Sequence, residues 1–275
     1  MSLSVPSGGT HAPTIAPLLV CEGAIESKPM SAPVVELPSA LQARPLPNPL
    51  APRERWIDIA LIVAVCVLPV MLTSTAYYFH PAEHIASPLS LASGILREIT
   101  GLALLAFILY RRNQNFKSFG LTASRKNFFI GIALWIVSIA ASGLAFDILN
   151  AIVVVHSGHP MPRINVPQLL GINLGLGWLL YSLINPWFEE LIVRGFLMSE
   201  LATLANPWTA IAVSTLLQTS YHLYQGWGHV LPIAVMFLCF SIFYSRTRSL
   251  MPIVVAHTCS DLFPLLVLAL HTHAR

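Results

Sequence analysis

From Trp56 to Leu270 the chain is a succession of apolar runs of about 20 residues with little between them. Each run is long enough to cross a hydrocarbon core about 30 Å thick as a helix. The runs fall at roughly 56–79, 89–110, 128–152, 170–203, 207–223, 228–245 and 250–270. They predict an all-α, polytopic transmembrane bundle of about seven spans. Composition agrees, because 55% of the residues are hydrophobic and only 10% charged. Soluble chains carry about a quarter charged residues.

Residues 1–52 are of a different kind, rich in Pro, Ala and Ser and nearly free of aromatics. Recurrent proline leaves no room for a helix or strand pattern, so this stretch is expected to be a disordered cytoplasmic tail. The transmembrane domain is expected to occupy 53–275. Arg and Lys near the span ends set orientation. Ten of them fall on one side: three before the first span, five between the second and third, and Arg246 and Arg248 between the sixth and seventh. Arg163 and Arg275 fall on the other. A cytoplasmic amino terminus follows. Basic patches interleaved with aromatics are absent, which argues against nucleic acid as a partner. Cys21, Cys66, Cys239 and Cys259 are scattered, without metal or disulfide spacing.

The segment from Asn185 to Leu197, NPWFEELIVRGFL, breaks the apolar pattern with Glu189, Glu190 and Arg194. Charges at bilayer depth are costly and face a cavity or a partner. Glu190 and Arg194 stand four apart on one helix face, in the favourable order for an ion pair. Glu189 points elsewhere and is left over. Two histidines are read as lying neither in a loop nor at a terminus, His222 and His257, the second four residues before Asp261 on the same face. A turn near Ala205–Pro207 lies about 17 residues after Glu189 and about 16 before His222, which puts both at one depth in an antiparallel hairpin. His257 and Asp261 follow the next cytoplasmic turn by about 10 and 14 residues, at a similar depth. Arg97 and Glu98, inside the second run, would pair with a neighbouring helix or with the Glu189 cluster. Asp58, Asp147 and Asn150 lie near span ends, within reach of headgroup water.

Glu189-Glu190-x-x-x-Arg194, a histidine closing the next helix, and RTRSLMPIVVAHTCSD with His257 and Asp261 together resemble the CAAX-protease and bacteriocin-processing (CPBP, or Abi) family. These are intramembrane peptidases that include the prenyl-protein endopeptidase Rce1. The resemblance covers roughly 180–265, within a core of about 170–270. One position departs from the pattern: Gln218 stands four residues before His222, where the family usually has Phe. Asp261 occupies a position that is Asn in many relatives.

The resemblance implies an endopeptidase acting on a membrane-associated substrate, such as a prenylated CAAX-type protein. Glu189 would be the general base, His222 would share the water, and His257 with Asp261 would stabilise the oxyanion. Glu190 and Arg194 would be structural, neutralising one another. No cofactor is required on this reading. In the alternative, Glu189, His222 and His257 hold a zinc ion with an open fourth position. Other classes are a non-catalytic scaffold or immunity factor, and a proton or solute transporter. No internal repeat or matched pair of broken helices supports transport. The expected setting is a bacterial plasma membrane.

Overall fold

The structure, a computed structural model, describes residues 50–80, 87–161 and 171–273. The tail expected at 1–52 therefore lies outside the described residues except for its last three, as do Arg163, Arg275 and Cys21. The described residues belong to one unit, Leu37–Arg275.

Seven long helices follow one another among these residues. They are α1 (Pro52–Phe79), α2 (Pro88–Arg111), α3 (Arg125–Ser157), α4 (176–204), α5 (Pro207–Ser220), α6 (Trp227–Thr247) and α7 (Met251–His273). Five of them, α1, α2, α3, α6 and α7, are long and apolar enough to cross a membrane. The remaining two fall short for separate reasons. Helix α5 has only 14 residues, or about 21 Å of rise. Helix α4 is long enough but carries the charged cluster and Glu200.

Local chemistry sets several helix starts. Ser87, Ser124 and Asn206 cap α2, α3 and α5 by accepting a backbone N–H three residues on. Pro88 and Pro207 sit where a missing N–H costs nothing. The Ala205–Asn206 break makes α4 and α5 a hairpin, as expected. Arg248 ends α6 in the left-handed region with φ 53°.

Helix α4 is the axis. Its middle, Leu191–Met198, is π-helical, and all eight residues are buried. A segment apolar and enclosed on every side belongs at the centre of a bundle. Helix α2 packs against α4, α5 against α4 and α6, and α3 against α6 and α7, which also contacts α4. A second π turn, Val63–Val67, interrupts α1 just before Pro69, where proline removes a helical donor.

Asp58 departs from the expectation of headgroup water. It is 4% exposed and accepts from Arg112 Nε and Nη2 at 2.9 and 2.7 Å. Arg112 also reaches Glu200 at 2.8 Å, and Arg55 meets Glu200 at 2.7 Å. The tetrad ties α1, α2 and α4 together. Arginine stems long enough to cross between helices drew the acid inward from the span end. Asn150 accepts from the Met161 backbone N–H at 2.9 Å.

Candidate active site

The adjacent glutamates of α4 diverge, as helical phase requires. Glu190 is fully buried and accepts from Arg194 Nη1 with both oxygens, at 2.9 and 2.8 Å. Arg194, also fully buried, sends Nη2 to the Phe237 carbonyl at 3.1 Å. Its guanidinium lies over the Phe237 and Phe240 rings, 5.2 and 5.5 Å from their centroids. The charge is thus enclosed by a carboxylate, a carbonyl and two ring faces.

Glu190 has a further contact that corrects its expected, purely ion-pairing place. His257 Nδ1 lies 2.7 Å from Glu190 Oε1. A carboxylate only accepts, so Nδ1–H is the donor. This fixes the ring and turns Nε2 toward Glu189 Oε2, 4.0 Å away, and Asp261 Oδ1, 3.6 Å away. Both exceed a hydrogen bond. Asp261 is steadied by Asn185 Nδ2 at 3.3 Å. Glu190 is part of the site's framework rather than turned away from it.

Gln218, the departure from the family pattern, is fully buried in the middle of this group. Its Nε2 donates to Glu189 Oε2 at 2.8 Å and to Glu190 Oε1 at 3.1 Å. One amide therefore bridges the two carboxylates. Phe at this position would offer neither bond.

His222 is placed differently. Helix α5 stops at Ser220, so His222 sits in the turn after it rather than inside a span reaching 223. A short 3₁₀ turn at Leu223–Gln225 and Gly226 at φ 75° redirect the chain there. His222 Nδ1 bonds the Gln218 carbonyl at 3.1 Å, which leaves Nε2 available. Its ring packs on Phe237 at 5.1 Å, and Phe237 packs on His257 at 5.7 Å. Glu189, Glu190, His257 and Asp261 thus converge directly. His222 joins them through the Phe237 ring and the Gln218 backbone. Among the described residues no three or more His, Cys, Asp or Glu side chains are grouped as a metal site, the set Glu189, His222 and His257 included.

Asn185 and Phe237 escaped the sequence reading. Asn185 stood four residues before Glu189, on the same face, which was signal enough. Phe237 left none, because its contributions are a carbonyl and a ring face in an apolar run.

Residues 171–263 match a family model described as type II CAAX prenyl endopeptidase Rce1-like. Over this region, about a third of its length, the chain is similar to that family. The Rce1-like region begins just before α4 and extends two residues beyond Asp261, so it holds every residue of the cluster. Rce1-like proteins form a protease family, and the apolar helices around the region are those of an integral membrane protein. Among curated proteins and among solved structures, none matches the chain.

Proposed function

We propose that the chain is an intramembrane endopeptidase that hydrolyses a peptide bond in a membrane-associated substrate, of the prenylated CAAX type, with a water activated by Glu189. One observation carries this reading. Of the two adjacent carboxylates, Glu190 is taken up by Arg194 and His257, whereas Glu189 has a single amide donor and faces His257 Nε2 at 4.0 Å. A carboxylate held in place but not neutralised is what a general base requires.

In this mechanism Glu189 takes a proton from water while the hydroxyl attacks the scissile carbonyl. His257 Nε2 donates to the developing oxyanion. That role needs both ring nitrogens protonated, with the Glu190 carboxylate at Nδ1 as counter-charge. The tetrahedral intermediate collapses as the C–N bond breaks, and Glu189 returns the proton to the leaving amine. His222, with Nε2 free, shares the water. Asp261, steadied by Asn185, stands beside the same Nε2 at 3.6 Å. No cofactor takes part. The metal version would use Glu189, His222 and His257 as ligands, with the ion as Lewis acid.

The protein is proposed to sit in a bacterial plasma membrane with its amino terminus in the cytoplasm, on the side of the Arg55–Asp58–Arg112–Glu200 tetrad. The test is cleavage of a prenylated CAAX-type peptide by protein purified in detergent, per folded molecule, with and without a chelator. Glu189→Gln is expected to lower the rate by about 10²–10⁴-fold. Equal small losses from Glu189→Gln and Glu190→Gln would make both carboxylates structural and overturn the reading. Loss of wild-type activity on chelation would establish the metal version.

A further inference from the structure

Helix α2 brings a fourth carboxylate to this cluster. Glu98 is fully buried, and neither of its oxygens has a hydrogen-bond partner. The Tyr181 hydroxyl lies beside it but outside hydrogen-bonding geometry. Neighbouring Arg97 likewise has a buried Nε without a partner. Buried polar atoms in folded proteins nearly always have a partner, so a pair of such residues at one place needs an explanation.

The packing of α2 on α4 shows where Glu98 faces. A Cβ added at Gly94 would stand 3.2 Å from the Tyr181 ring, and one at Gly101 would stand 2.6 Å from the Phe188 ring. The two helices are therefore parallel along this seam, with 94 opposite 181 and 101 opposite 188. Glu98 lies between Gly94 and Gly101 on the same face, four and three residues away. The same offset of 87 puts it opposite Asn185, the residue that holds Asp261. Glu189 is one turn further along α4. Glu98 and Glu189 are also within electrostatic reach of each other.

Resting on the endopeptidase reading, we propose that Glu98 and Arg97 form a subsite for the backbone of an extended substrate peptide. Glu98 accepts a backbone N–H and Arg97 donates to a backbone carbonyl. A peptide unit presents one donor and one acceptor, and this pair offers one of each in return. Glu189 is itself only 5% exposed, so an opening that admits a peptide to Glu189 also uncovers the carboxylate one turn away.

The spacing fixes which amide is held. Four helical residues from Asn185 to Glu189 rise about 6 Å. Two residues of extended chain span about 6.6 Å, and N–H groups two residues apart point the same way. With the scissile carbonyl at Glu189, the N–H at Glu98 belongs to the residue two positions away.

The test uses the full chain in detergent and a prenylated CAAX-type peptide whose amides are N-methylated one at a time. Affinity is measured for uncut peptide on Glu189→Gln protein, and KM and kcat on the wild type. Leaving the buried Glu98 carboxyl without its donor predicts about a 10- to 100-fold loss of affinity for the peptide methylated two residues from the scissile bond. Glu98→Ala should cause a similar loss with the unmodified peptide and none further with the methylated one. Glu98→Gln, which retains an acceptor oxygen, should recover part of it and keeps the test open if Glu98→Ala does not fold. Raised KM with little change in kcat is expected. Additive losses, or a methylation profile unchanged by both Glu98 variants, would overturn the subsite and leave the peptidase standing. A wild type that neither cuts nor, as Glu189→Gln, binds any of these peptides would bring down the peptidase reading and the subsite with it.

Discussion

Arg194→Ala tests the framework of the site most severely. The side chain has no exposure, makes two bonds to Glu190 and one to the Phe237 carbonyl, and lies on two aromatic rings. Removing it leaves Glu190 charged in the centre of the bundle, with the Gln218 amide and His257 as its remaining donors. Breaking a buried pair costs about 3–5 kcal/mol, and losing the ring contacts adds about 1 kcal/mol. Against a total stability of about 5–15 kcal/mol, that is a large share. At roughly 2–4 °C per kcal/mol, melting should fall by about 10–20 °C. Thermal unfolding in detergent, followed by tryptophan fluorescence and by monodispersity on gel filtration, measures it. Glu190→Gln with Arg194→Gln should restore most of the loss, because no uncompensated charge remains and the new amide oxygen still accepts from His257 Nδ1. Arg194→Ala protein that melts like wild type but is inactive would refute the argument and move Arg194 into the chemistry.

Three further outcomes follow from the same geometry. Gln218→Phe removes one donor from each carboxylate; activity per folded molecule should fall about tenfold or more, and an unchanged rate would show that the bridge does not position Glu189. Arg112→Ala strands Asp58 and removes one of two cations from Glu200, so it should lower melting by an amount comparable to Arg194→Ala, with no change in turnover per folded molecule. Glu189→Gln combined with His222→Ala should be little slower than the slower single variant if both act on one water, which a fully additive rate loss would disprove.

Much of this was legible because bilayer length and charge cost are strict constraints. The seven helices lie close to the seven apolar runs, and the Glu190–Arg194 pair was readable from a four-residue spacing alone. Contacts whose partners are far apart in sequence were not readable. Nothing in the chain links His257 to Glu190, 67 residues away, or Asp58 to Arg112, 54 away. Gln218 was visible as a departure from a pattern, but its bridging role depends on α5 packing against the π-helical part of α4. The span predicted to reach 223 ends at Ser220 because the chain turns there, through the Leu223–Gln225 3₁₀ turn and Gly226, and an apolar run does not by itself show where a helix stops.

The cluster draws on three helices made at different times. Glu189, Glu190 and Arg194 leave the ribosome on α4, Gln218 follows on α5, and His257 and Asp261 arrive only with α7. Through that interval Glu190 already has Arg194 as its counter-ion on the same helix and needs no later partner. Glu189, the proposed general base, by contrast lacks the imidazole it faces until some 70 further residues are synthesised. On the proposed endopeptidase reading, the half-made chain has its Glu190 charge paired but no oxyanion donor, and docking of α7 completes the site.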